Sequence, residues 1–343
     1  MLKSRSKQPQ LKHAQACFSI IKQGSKSFHF ASLILPRNVR MAATSLYAFC
    51  RVSDDLVDDP RATFEAVQKL RARLDAAYEG KPFDHVADRA FAEVVEAYNI
   101  PKSVPLSMIE GFEWDLVDKR YETIGEVIDY SARVAGTVGI MMSLVMGKRS
   151  ERTLARACDL GVAMQLINIS RDVGEDARNG RVYLPDEWLR EAGTSREDLL
   201  KSPQHSDAVA RVVERLLNTA DEIYLRALTG LADLPMACRP GIRAAGMVYA
   251  GIGTQVRANG CNSIDQRAFT TKAQKLALLV RALRNDGPYG SCDESPALTE
   301  VSYLVDAAAD PDTDPRGSME WLIDLNTKLA RRDRGLDHMR SRN

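Results

Sequence analysis

Two acidic strings in this chain have the residue types and the spacing for chemistry. The first is Tyr47-Ala-Phe-Cys-Arg-Val-Ser-Asp-Asp-Leu-Val-Asp-Asp59. On a helix Asp54 and Asp58 share a face, with Arg51 and Tyr47 one and two turns before them. Like charges at that spacing cost a bare helix roughly a few tenths of a kcal/mol, and acids near a helix C-terminus oppose the macrodipole. A solvated helix end stopped by Pro60 is the plain alternative. The second string is Gln165-Leu-Ile-Asn-Ile-Ser-Arg-Asp-Val-Gly-Glu-Asp176, where Gln165, Asn168, Asp172 and Asp176 fall on one helical stripe. The other faces of that helix are apolar. Unpaired carboxylates on such a helix are costly, and a cation would remove the cost. Carboxylate and amide oxygens without His or Cys suit a hard ion, Mg²⁺ or in its place Mn²⁺. A surface stripe paired with Arg171 and Arg178 is the competing reading.

Mg²⁺ held by few carboxylates takes its remaining ligands from water and substrate phosphates, so two facing acidic stripes point to diphosphate chemistry. Cations and donors for such a group are at hand. Arg51 and Arg171 sit within a turn of the acids and can either clamp phosphate oxygens or pair with the aspartates. Gly24-Ser-Lys-Ser-Phe28 adds two hydroxyls, a lysine and a permissive glycine, although most such strings are turns or caps. No Walker loop occurs, and Gly246–Gly253 lacks the strand–turn–helix setting of a dinucleotide site.

The elements that must position these residues read as helices. No proline falls between Pro105 and Pro185. Helical spacing predicts a buried helix over Arg152–Asp176 and others over Val39–Asp58, Ala62–Tyr78, Asp88–Tyr98, Ser107–Asp118, Ile124–Met146, Ser206–Gly230, Gly241–Asn259 and Thr271–Arg284. No alternating runs with hairpin turns stand out. The fold class is all-α, in one large domain. Residues 1–20 read as a basic N-terminal segment, 21–290 as the helical domain, and 291–343 as a C-terminal loop and helix packed on it. Asp306, Asp310, Asp312 and Asp314, interspersed with Pro311 and Pro315, read as the loop before that last helix.

Composition excludes several classes. Of 343 residues, 45% are apolar and 27% charged, and 47 basic side chains balance 46 acidic ones, so the chain is globular and lacks the field for nucleic-acid binding. The longest apolar stretch, near Val138–Met146, is about half a membrane span. Cys17, Cys50, Cys158, Cys238, Cys261 and Cys292 make no CxxC pair, and the five histidines make no zinc spacing. The first 26 residues carry Lys3, Arg5, Lys7, Lys12, Lys22 and Lys26 with no acid and no apolar core of a secretory peptide, a transit peptide being the alternative. A cytoplasmic protein with reduced thiols is expected, with peripheral membrane contact through the basic N-terminal residues.

The strings Tyr47–Asp58 and Asn168-Ile-Ser-Arg-Asp-Val-Gly-Glu-Asp-Ala-Arg-Asn-Gly-Arg-Val-Tyr-Leu-Pro185, with Tyr130-Ser-Ala-Arg-Val-Ala-Gly-Thr-Val-Gly139 and Tyr249-Ala-Gly-Ile252, resemble the squalene/phytoene synthase family, and within it the bacterial phytoene-forming branch. The resemblance runs from Gly24 to about Leu283. It implies an isoprenoid-synthase helical bundle with a central cavity. It implies Asp54, Asp58, Asn168, Asp172 and Asp176 as metal ligands. Gly24, Ser25, Lys26, Ser27, Tyr47, Arg51, Gln165, Arg171 and Tyr249 fall on substrate-binding positions, joined by Arg267. Some relatives carry histidine where Gly24 stands, so no histidine contact is carried over. Tyr130 and Phe28 are candidates to steady a carbocation, with core packing the stronger reading for Phe28.

The implied reaction is a transferase reaction, the head-to-head condensation of two geranylgeranyl diphosphates to phytoene. It runs through a cyclopropyl intermediate and opens carotenoid biosynthesis, with Mg²⁺ and no nicotinamide cofactor. An upstream prenyl diphosphate synthase and a downstream desaturase are the implied partners. The rivals are squalene or dehydrosqualene synthesis from farnesyl diphosphate, and a non-catalytic assembly factor of the same fold. The basic, polar C-terminal tail lacks the anchor of many squalene synthases, and small residues such as Ala135, Gly136 and Gly139 would let a longer tail into a cavity.

Overall fold

The computed structural model describes residues 11–24, 29, 31–57, 63–284 and 295–309. Among these residues every regular element is helical. The axis of the bundle is Glu151–Arg178, a helix of 28 residues and thus about 42 Å long. It begins where Ser150 caps it, the Oγ accepting from Thr153 N–H at 3.3 Å. It carries apolar residues around most of its circumference, so neighbours cover it on several sides: Thr137–Val145, Asp207–Thr229, Arg239–Ala258 and Ser302–Ala309. Arg37–Val57, which bears the first acidic string, packs on Val86–Tyr98 and Thr137–Val145. Its Phe49 stacks on Phe91 with ring centroids 3.9 Å apart.

The predicted helices are present with ends shifted by a few residues. Ser107–Asp118 is observed as Ser103–Leu116, with Pro105 in the first turn, where a missing N–H costs nothing. The predicted Ile124–Met146 helix is three consecutive pieces: Ile124–Ser131, a wide π turn over Ala132–Gly136, and Thr137–Val145. Thr123 opens it with a capping box to Glu126. Short helices at Phe18–Gly24, Asp186–Ala192 and Arg196–Lys201 were not expected, because six or seven residues show too little periodicity to register. One reading is corrected: Asp306 lies within the helix Ser302–Ala309, not in a loop, because Leu304, Val305, Ala307 and Ala308 bury a face around it. Asp310, Asp312 and Asp314 lie outside the described residues.

Glycines set the closest helix crossing. A Cβ on Gly139 would stand 2.0 Å from the Ala157 carbonyl oxygen, and one on Gly161 would stand 2.3 Å from that of Ala135. The backbones therefore touch where the Tyr130–Gly139 string crosses the central helix. Gly136 faces the Cys158 side chain at this crossing, so it spaces helices, whereas Ala135 and Gly139 also border the internal cavity. Cys17, Cys50, Cys158, Cys238 and Cys261 are free thiols, and Cys292 is outside the described residues. No helix among the described residues is long and apolar enough to cross a membrane.

Candidate active site

A cavity of about 1000 Å³ runs through the bundle, and both acidic strings open onto it. From Arg37–Val57 come Tyr47, Arg51 and Asp54, and from Glu151–Arg178 come Gln165, Asn168, Arg171, Asp172 and Asp176. Tyr130, Tyr249, Gly24 and Arg267 border the same space. Asp58, Ser25, Lys26, Ser27 and Phe28 lie outside the described residues. The rest of the lining is mostly apolar or small, including Leu46, Val138, Met142, Met146, Leu160 and Met164.

The polar end is dominated by arginine–aspartate pairs. Arg51 reaches Asp54 at 3.2 Å and Asp55 at 2.5 Å. Arg171 grips Asp172 with two nitrogens, its Nε donating to Oδ1 at 2.7 Å. Burial works against the Arg171 charge, but the hydrogen bond and charge of Asp172 outweigh it and hold its pKa above the usual value. Arg267 reaches the same carboxylate, Nε to Oδ1 at 2.8 Å and Nη2 to Oδ2 at 3.3 Å, and also Glu175 at 3.2 Å. Arg178, the other partner considered for the acidic stripe, donates instead to the Ile264 carbonyl at 3.2 Å.

That contact and Gly174 explain how Arg267 arrives. Gly174 N–H donates to Ser263 O at 2.9 Å, and a Cβ on Gly174 would meet Ile264 O at 2.4 Å. The glycine inside the second string thus lets the 261–264 loop lie on the helix, which delivers Arg267 three residues later.

Asp176 is a partly buried acid in a crowded place, where Arg181 favours its charge but is outweighed. Burial, then Asp172 and Glu175, push its carboxyl up to about 8. A carboxylate cluster that keeps a proton near neutral pH is one that a divalent cation relieves, and the nearby donors are all oxygens. Among the described residues no three acidic, His or Cys side chains converge tightly enough to hold a metal alone. This donor set fits Mg²⁺ that draws further ligands from substrate and water.

Tyr249 faces Asn168 and Arg171, and burial raises its hydroxyl pKa, with Arg171 and the Asn168 hydrogen bond opposing. Burial also pushes the Tyr47 hydroxyl to about 12. A Cβ on Gly24 would strike the Tyr47 Oη at 2.4 Å, so the end of Phe18–Gly24 closes directly over that ring.

Sequence reasoning missed a second acidic centre. Asp115 accepts hydrogen bonds from Tyr130 at 3.0 Å and from Tyr183 at 2.8 Å. The Tyr130 and Tyr183 rings stack at 5.0 Å, with Tyr121 tilted against both. Burial and then Asp115 hold the Tyr130 and Tyr183 hydroxyls well above their ordinary pKa, so both tyrosines meet Asp115 as neutral donors. Asp115 stands next to the C-terminal residue of Ser103–Leu116, where the macrodipole disfavours an acid, and that placement was a usable signal. Tyr183 stood inside the long second string without being singled out.

An all-α bundle with two acid-bearing helices around one deep cavity defines an isoprenoid-synthase architecture. A solved dehydrosqualene synthase has the same fold, with a TM-score of 0.73 and 30% identity, over 80% of this chain and 96% of that one. A squalene synthase from Alicyclobacillus acidocaldarius superposes with a TM-score of 0.67 at 24% identity, over 73% of this chain and 95% of the other. The family model for squalene/phytoene synthase matches residues 21–274. A phytoene synthase of Cereibacter sphaeroides is 46% identical over 340 residues, 95% of this chain and 96% of that protein. One of Rhodobacter capsulatus is 47% identical over 330 residues, 94% and 97% of the two chains. The chain belongs to the squalene/phytoene synthase family and is a prenyltransferase.

Proposed function

We propose that this enzyme joins two geranylgeranyl diphosphates head to head to make phytoene, the entry step of carotenoid biosynthesis. The observation that carries the reading is a cavity with Arg–Asp pairs from two helices at one end and apolar lining beyond. Substrate length follows the phytoene synthase relatives rather than the shape of the cavity.

Asp54, Asp58, Asn168, Asp172 and Asp176 are the residues to hold Mg²⁺, or Mn²⁺ in its place. When bound, the ion supplies positive charge that stabilises the departing diphosphate. The rest is the work of the chain itself. Arg51, Arg171 and Arg267, which neutralise aspartates in the bare protein, exchange carboxylate for diphosphate oxygens as substrate enters. Tyr47, Gln165 and Tyr249 donate to the same oxygens, as do Ser25, Lys26 and Ser27 beside Gly24. The C1–O bond of one substrate breaks, and the electron pair leaves with diphosphate. The double bond of the second substrate attacks the allylic cation, and loss of a proton closes a cyclopropane. The second diphosphate then leaves, the cation rearranges, and a further proton is lost to give the hydrocarbon.

Apolar walls keep water from quenching these cations. Tyr130 and Tyr183 border the cavity while their hydroxyls are held by Asp115, so ring position is fixed and negative charge lies close by. Incubation with Mg²⁺ and fifteen- or twenty-carbon diphosphates, with and without NADPH, followed by product mass, tests the reading. A forty-carbon hydrocarbon formed without NADPH is expected. A thirty-carbon product in preference would assign the chain to the dehydrosqualene or squalene reaction instead.

A further inference from the structure

The helix Lys272–Arg284 has two apolar faces, and among the described residues only one is packed. The inner face meets Arg239–Ala258: Leu278 packs on Gly251, and the carbonyl of buried Ala282 accepts from Arg243 Nη1 at 2.9 Å. The outer face carries Leu276, Val280 and Leu283, which are 55%, 40% and 54% exposed. At 100° per residue these three fall within about 60° of one another. Phe269, just before the helix, is 70% exposed. Large aliphatic side chains in register on a solvent-facing stripe mark a docking surface.

Charge selects the partner. From residue 266 to residue 284 there is no acid, and Lys272, Lys275, Arg281 and Arg284 all lie on the helix. Lys272 and Arg284 flank the apolar row at its two ends. A row of aliphatic side chains with basic flanks is the pattern of a helix lying in the interface of an anionic bilayer. A stable protein dimer needs about 800 Å² from each partner, more than one short row of side chains provides. Position agrees, since Phe269 is two residues from Arg267, whose guanidinium grips Asp172 at the cavity wall.

We propose that the outer face of Lys272–Arg284 docks the enzyme on an anionic lipid surface beside the cavity mouth. The proposal moves the membrane contact from the basic N-terminal residues to this helix. Its sense rests on the prenyl reading, because a hydrocarbon product must pass into lipid, but its deciding readout is vesicle binding and not turnover.

The full-length protein is floated with phosphatidylcholine vesicles, with and without phosphatidylglycerol. Binding that requires phosphatidylglycerol is expected, falling at least about tenfold in a Leu276→Ser/Val280→Ser/Leu283→Ser variant. A Lys272→Glu/Arg284→Glu variant should lose the preference for phosphatidylglycerol. Helical circular dichroism and turnover in detergent should match the parent in both, which separates failure of this proposal from failure of the catalytic reading. Flotation of the triple variant equal to the parent, or a loss of self-association in place of a loss of vesicle binding, overturns the assignment.

Discussion

Arg267 and Asp172 are 95 residues apart in sequence and joined by two hydrogen bonds, Nε to Oδ1 at 2.8 Å and Nη2 to Oδ2 at 3.3 Å. Asp172 is also held by Arg171, so one carboxylate between two guanidiniums stands where a diphosphate would compete for both cations. Arg267→Gln is expected to lower kcat/KM by about ten- to a hundredfold, the range for losing one charge-assisted donor to a developing anion. Steady-state kinetics with the twenty-carbon diphosphate reads it, and an unchanged kcat/KM would leave Arg267 a structural partner of Asp172 alone.

The paired tyrosines allow a different check. In Asp115→Asn the acceptor for the Tyr130 and Tyr183 hydroxyls loses its charge but keeps its shape. A fall in kcat of about tenfold or more with little change in KM is expected if the centre acts on cationic species after binding. Equal loss in Asp115→Asn and in Tyr183→Phe would show that the hydroxyl–carboxylate contact, and not the charge by itself, matters.

The helix crossing should tolerate almost nothing. In Gly161→Ala the new Cβ would lie 2.3 Å from a backbone oxygen, which cannot rotate away. Destabilisation of about 1–3 kcal/mol is expected from this overpacking. Urea unfolding followed by circular dichroism measures it. The same change at Gly147, with φ +74° and nothing within 4 Å of its Cβ, separates backbone strain from overpacking.

Away from the cavity, Glu113 makes stability depend on pH. It is buried beside Arg71, whose Nε donates at 2.8 Å, yet burial outweighs that partner and pushes the carboxyl up to about 7. The folded protein therefore holds this proton more tightly than the unfolded chain does. Its contribution is present below about pH 4.5 and is lost as pH rises through about 7, with a slope of up to about 1.4 kcal/mol per pH unit. Urea unfolding across that window should show the decline, and Glu113→Gln should flatten it.

The sequence carried most of the bundle because long amphipathic helices announce themselves by period, as Glu151–Arg178 and Asp207–Thr229 do. It did not carry the π turn at Ala132–Gly136, whose extra residue per turn leaves no mark on the apolar pattern. On the candidate site, Asp54, Asp172 and Asp176 were legible because acids at helical spacing on an apolar background need a reason. Asp115 left only the weaker signal of a single acid near a helix C-terminus, because its partners Tyr130 and Tyr183 arrive from other elements. The closure of Gly24 over Tyr47 and the delivery of Arg267 by Gly174 are likewise products of packing between distant segments.

The central claim is that the two acidic helices act together on one diphosphate-binding end of the cavity. Turnover of Asp54→Asn and Asp172→Asn, measured with Mg²⁺ and geranylgeranyl diphosphate, tests it most directly. Each single change is expected to abolish product while helical circular dichroism stays intact. Undiminished turnover in either variant would remove that aspartate from the site and contradict the account.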